Sequence, residues 1–107
     1  MPIRKQWSPF TWARLQRVPD VAGIYELGDA RGEIVYIGSG DSASGVKGRL
    51  YYHKGHMPQS VRYFRYLQAG FFQSPIDMEN HHCQLFVDRY GRLPRLQQRM
   101  PRGYSLW

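Results

Sequence analysis

The chain has 107 residues, with fifteen Lys and Arg against eight Asp and Glu, a net charge of +7 and a pI near 9.9. That length suits one domain with one core; no run of about 18 apolar residues would span a membrane, and a lone cysteine, Cys83, excludes an internal disulfide. A positive surplus of this size on a small domain favours a polyanionic partner, nucleic acid above all.

Residues 1–8 read as a basic arm without the apolar stretch of a signal peptide. Ser8-Pro9 reads as the start of a short helix, with Ser8 as N-cap and Pro9 at the first helical position. Phe10, Trp12 or Ala13, and Leu15 supply its apolar side. Val18-Pro19 ends it, because the residue before proline avoids helix. Two β-type runs follow, 21–27 and 33–38. They are joined by Gly28-Asp29-Ala30-Arg31-Gly32, whose terminal glycines suit a hairpin loop with positive backbone angles. Gly23, Tyr25 and Leu27 share one face of the first run, opposite Ile24 and Glu26. In the second run Ile34 and Tyr36 oppose Val35 and Ile37. Apolar residues on both faces predict a sheet covered substantially on one side and partly on the other.

The glycine–serine stretch 38–45 is expected to be a loop before a helix. It lacks the Walker lysine spacing and the full dinucleotide fingerprint of a nucleotide cradle. Residues 44–53 read as that helix, closed by Gly55, with Val46, Leu50 and His53 on one stripe and Arg49 beside it. Residues 61–67 alternate Val61, Tyr63, Arg65 and Leu67 against Arg62, Phe64 and Tyr66, as a third strand does. Ser74 as N-cap, Pro75 as first helical residue and Asp77 near the positive helix end mark a helix running to about Tyr90 and stopped by Gly91. The Pro- and Arg-rich tail beyond it is expected to wrap the surface. The fold class expected is α+β: a small three-stranded antiparallel sheet flanked by helices, in a single domain over 1–107 with its core at about 18–97.

On the last helix Ile76, Glu79, Cys83, Phe86 and Tyr90 fall at alternating steps of three and four, so they share a face. Four of these suit a core, and Glu79 does not. A carboxylate on a buried stripe needs a cation or donors. An arginine would serve. So would a divalent metal such as Mg²⁺, which takes one or two protein carboxylates and fills its shell with water and phosphate oxygen. Asn80 is adjacent but points elsewhere. His81, His82 and Cys83 diverge by about 100° per residue, and no CxxC exists, so zinc is not favoured. Cys83 reads as a buried small apolar residue.

The tripeptides Gly23-Ile24-Tyr25 and Tyr36-Ile37-Gly38 lie about ten residues apart on the hairpin. With Arg49 on the following helix and Glu79 on a later one, they resemble the signature of the GIY-YIG nuclease superfamily, over about residues 18–97. The stretch 90–96 is also similar to the closing segment of some small members. The resemblance implies a divalent-metal-dependent DNA endonuclease using Mg²⁺ or Mn²⁺. By similarity, Tyr25 positions or deprotonates the attacking water with Tyr36 as its partner, or the two act in the reverse order. A phenol, with an unperturbed pKa near 10, needs help from nearby cations for that role. Arg49 would hold the scissile phosphate and stabilise its growing charge. Glu79 would hold the metal as a Lewis acid at the leaving oxygen. His53 would orient water or shuttle a proton, or else simply pack. Two positions depart from the pattern: Ser39 stands where some members carry lysine, and Gln97 where many carry asparagine. The alternative function is a nucleic-acid-binding module on the same fold, in which an arginine locks Glu79 and nothing is cut.

Larger members of the superfamily carry a separate DNA-recognition domain. Without one, the expectation is limited sequence preference, recognition of DNA structure, or reliance on a dimer or a partner protein. The setting expected is the reducing cytoplasm. Contacts would run mainly from arginines to phosphates. DNA affinity is therefore expected to fall steeply between low and moderate salt, measured by titration at several salt concentrations. An affinity unmoved by salt would count against a phosphate-led interface.

Overall fold

Within residues 3–41, 44–71 and 73–97, which the computed structural model describes, the chain runs β1 (Ser8–Pro9), α1 (Trp12–Leu15), β2 (Gly23–Asp29), β3 (Ile34–Gly40), α2 (Gly45–His56), β4 (Val61–Gln68) and α3 (Pro75–Tyr90). The sheet is antiparallel throughout, in the order β1-β4-β2-β3. The α+β class therefore stands, with four strands in place of the expected three. The extra one arises because Ser8 and Pro9 pair with Phe64 and Tyr63 instead of opening a helix. Proline has no N–H to give a ladder and suits such an edge. The short helix starts later, where Thr11 Oγ1 accepts from the Arg14 N–H at 3.2 Å.

The β2–β3 hairpin forms where the glycine-bounded connector predicts it, but only Gly32 takes a positive φ, at 79°. Gly28 stays in the strand, and Trp7 packs against it. Leu27 pairs with Tyr36 and Gly28 with Ile34, so Val35 bulges out of the ladder. Its side chain joins the core, and its carbonyl accepts from the Leu96 N–H at 3.0 Å. The bulge lets neighbours on one strand both turn inward.

β2 lies between β4 and β3 and has a helix on each face, so all seven of its residues are buried. On one face Tyr25 and Leu27 pack with Leu15, Val46, Leu50 and Phe64 under α1 and α2. On the other face Ile37 packs with Cys83 and Phe86 of α3. α2 runs through Gly55 and ends at Met57, whose extended backbone precedes Pro58. The proline, not the glycine, stops it. α3 begins and ends as its sequence predicts: Ser74 Oγ accepts from the Asp77 N–H, and Gly91 closes the helix in the left-handed conformation, φ 72°. Its buried face is centred on Asn80, Cys83 and Phe86, not on the full stripe expected. Ile76 and Tyr90 are exposed and Glu79 is half-buried. The 16-residue helix is about 24 Å long and rests on β3 and β2.

The basic arm is also tied down from residue 3. Glu26, fully buried on the α3 face, accepts from Arg65 Nε at 2.7 Å and from the Ile3 N–H at 3.4 Å. Arg65 is its direct cross-strand partner, donates also to the Lys5 carbonyl at 3.0 Å, and lies 3.9 Å from the centre of the Trp7 ring. Burial pushes the Glu26 carboxyl up, and the Arg65 guanidinium pulls it back. Residues 42, 43 and 98–107, parts of the glycine–serine loop and of the tail, lie outside the described residues. Among the described residues, no helix is long and apolar enough to cross a membrane.

Removing Arg65 strands a carboxylate in the sheet. Arg65→Ala is expected to cost about 3 kcal/mol of stability, with Glu26→Gln in that background recovering part of the loss. Urea denaturation measures both; a loss under about 1 kcal/mol would mark the pair as a solvated surface bridge.

Candidate active site

Tyr25 and Gly38 are opposite each other across the hairpin. The Tyr25 phenol lies directly over Gly38, and a Cβ there would collide with its oxygen and ring carbon. Gly38 is thus a close-approach glycine, required by the phenol opposite it. Tyr36 stacks beside Tyr25, with ring centres 6.3 Å apart and planes 14° apart.

α2 closes this face. Val46 and Leu50 anchor it in the core, and the same stripe carries His53 inward, only 4% exposed. His53 Nε2 is 2.6 Å from the Tyr25 hydroxyl, and its ring centre is 4.7 Å from that of Tyr36. Arg49, one turn earlier, is exposed at the rim. Its charge reaches both phenols and the imidazole.

The electrostatics follow from burial. Tyr25 has its pKa pushed up, first by burial and then by Tyr36, with Arg49 pulling the other way. Burial also raises Tyr36, and Glu79 adds to the effect while Arg49 opposes it. His53 is pushed down to about 4 by burial and then by Arg49. At neutral pH the cluster is therefore a protonated phenol against a neutral imidazole. In the tautomer carrying its proton on Nδ1, His53 accepts the Tyr25 O–H. Both groups therefore rest neutral, joined by one short hydrogen bond.

Glu79 comes from α3, on the other side of the sheet, and meets the cluster at β3. Ser39 Oγ donates to its Oε1 at 2.5 Å. Burial raises the Glu79 carboxyl, while the Ser39 bond and the Arg49 charge lower it. Among the described residues the ion pairs are Arg65–Glu26 and Arg95–Asp29, so no cation locks Glu79. Ser39, noted in the sequence only as a missing lysine, is the residue that holds this carboxylate. Gln97 pins the same edge strand: its Oε1 accepts from the Ile37 N–H at 3.1 Å and its Nε2 donates to the Ile37 carbonyl at 2.9 Å. Asn80, next to Glu79 in the chain, is buried, and among the described residues its Oδ1 has no hydrogen-bond partner.

Tyr25, Tyr36, His53 and Glu79 are thus gathered around β3, all four within electrostatic reach of Arg49. Among the described residues no group of three or more His, Cys, Asp or Glu side chains could enclose a metal. One free, half-buried carboxylate beside a hydroxyl does match the sparse protein donor set of Mg²⁺, whose shell is mostly water and phosphate oxygen. Glu79 would hold such an ion.

Residues 1–71 match the model of a family described as a domain of unknown function (DUF7508). That span contains the hairpin, Arg49 and His53 and stops short of Glu79 and Gln97. No curated protein and no solved structure matches the chain.

The His53 environment has a pH signature. Its pKa is lowered from 6.5 to about 4, so on acidification the unfolded chain takes the proton first. The associated stability is complete above about pH 6.5 and is lost as pH falls towards 4, by up to about 3 kcal/mol. In a ring-proton NMR titration His53 is expected to titrate near 4, moving upward in Arg49→Ala. Titration near 6.5 in the wild type would mean that the imidazole is solvated.

Proposed function

The chain belongs to DUF7508, a domain family of unknown function, and we propose that it is a DNA endonuclease dependent on a divalent metal. The observation that carries this reading is the gathering of two phenols, a neutral imidazole, an exposed arginine and an unpaired carboxylate at one strand edge. The resemblance of the two tripeptides, Arg49 and Glu79 to the GIY-YIG nuclease signature supports it. So does the net charge of +7.

In this reading Arg49, exposed at the rim, binds the scissile phosphate and stabilises the charge that builds on its oxygens. Tyr36 is only partly buried while Tyr25 is fully covered, so Tyr36 is the phenol that solvent reaches and that holds the attacking water. Tyr25 accepts the proton of that water as its own proton passes to His53 Nε2. The raised pKa of Tyr25 excludes a standing phenolate at neutral pH, so Tyr25 can take up a proton only as it gives up its own. Burial is the main cause of the lowered His53 pKa; phosphate bound at Arg49 offsets the second cause, the Arg49 charge, and to that extent strengthens the imidazole as acceptor. Ser39 holds Glu79 towards the same place. A Mg²⁺ or Mn²⁺ ion on Glu79 would supply Lewis-acid stabilisation of the leaving oxygen.

A second reading, a DNA-binding module without cleavage, draws on the complete burial of Tyr25. The two differ in their response to metal and to Glu79. With Mg²⁺ or Mn²⁺ at low salt the wild type is expected to nick supercoiled plasmid, and chelator should abolish nicking. Arg49→Ala and Glu79→Ala should each lower the rate by about 10²-fold or more, with DNA binding kept in Glu79→Ala. His53→Ala should lower the rate and keep binding. Tight binding with no nicking of plasmid, branched or single-stranded DNA in either metal would favour the binding module.

A further inference from the structure

From the buried cluster a line of ring contacts runs out to the surface of α2. The Tyr52 ring stands edge-on to His53, with centres 5.6 Å apart. It stacks on His56, with centres 4.0 Å and planes 15° apart. His56 Nδ1 donates to the Tyr52 carbonyl at 2.6 Å, which fixes the imidazole over the phenol. The Arg49 guanidinium carbon lies 5.3 Å from the centre of the Tyr52 ring. Arg49, Tyr52 and His56 follow at steps of three and four, so they form one ladder on the helix.

This ladder faces water. Tyr52 is 52% exposed, and Arg49 and His56 are exposed as well. Supporting Arg49 would require Tyr52 alone; His56 adds a second plane stacked on the same ring. Flat, cationic and aromatic surfaces held beside a phosphate-binding group are what unpaired bases stack on. Inside a duplex both faces of each base are already covered by its neighbours, and the ladder would find nothing to stack against.

We propose that Arg49, Tyr52 and His56 form a stacking platform for an unpaired base next to the phosphate, so that the substrate is DNA with a single-stranded segment at the cut. The inference rests on the nuclease reading of the site and names its substrate class. Tyr52 and His56 act here on a base and take no part in moving protons.

The test is fluorescence anisotropy at low salt with chelator present, so that nothing is cut. Three probes are compared: a short single strand, an abasic strand with the same phosphates, and a blunt hairpin duplex. Wild type should bind the base-bearing strand about tenfold more tightly than the abasic strand. Tyr52→Ala should erase that difference and leave abasic binding unchanged, while Tyr52→Phe should retain it. His56→Ala should reduce it. Equal affinity for the two strands in the wild type, or a preference that survives Tyr52→Ala, overturns the platform. If duplex plasmid is nicked with metal while no base preference is seen, the platform fails and the nuclease reading stands. If none of the three probes binds, the nuclease reading fails and takes the platform with it.

Discussion

Two-sided burial of β2 is the constraint from which the rest follows. A central strand with a helix on each face has no solvated side, so each polar side chain on it must find a partner inside the protein. At its end Asp29 accepts from the Arg31 and Glu33 N–H groups, and within the strand one polar side chain turns to each face. Glu26 turns towards α3 and is met by Arg65 and the Ile3 N–H. Tyr25 turns towards α2 and is met by His53. The first solution fastens the N-terminal arm to the sheet. The second creates a buried phenol–imidazole pair with an arginine at its rim.

The edge strand β3 carries the other half of the site. It is pinned from outside by Gln97 and Leu96, which bond the backbone at Ile37 and Val35. That leaves Ser39, two residues beyond Ile37, to hold Glu79. The α2 and α3 faces are separate cores, and the edge strand is thin enough for groups from both to act on one another. A fully enclosed carboxylate would have demanded an ion pair. Half-burial at a strand edge allows Glu79 to rest on a hydroxyl and a distant positive charge.

Burial also sets the protonation states. It raises both phenols and lowers the imidazole, which keeps all three neutral at physiological pH. Arg49 and the Glu79 carboxyl act on this cluster from opposite sides of the strand. Outside the cluster, the aromatic and basic residues of α2 continue the same side of the helix into solvent. The helix is therefore shared between a dry inner stripe and a wet outer one.

The local grammar of the chain was enough for the hairpin, for β4 and for both ends of α3. Turn glycines, alternating side chains, an N-cap with proline after it and a C-terminal glycine are signals carried within a few residues. Helical spacing singled out Glu79 and placed His53 on a stripe, and the resemblance to the GIY-YIG signature singled out Tyr25, Tyr36 and Arg49. The local grammar misread Ser8-Pro9 as a helix start, because serine before proline suits an N-cap as well as an edge strand, and only pairing with Phe64 and Tyr63 decides between them. The Tyr25–His53 bond joins residues 28 apart, Ser39–Glu79 joins residues 40 apart, and the Gln97 clamp on Ile37 joins residues 60 apart. No periodicity reaches over such distances. Those pairings, and the protonation states that follow from them, depend on which surfaces the helices and strands bury against one another, and that was settled only by the tertiary structure.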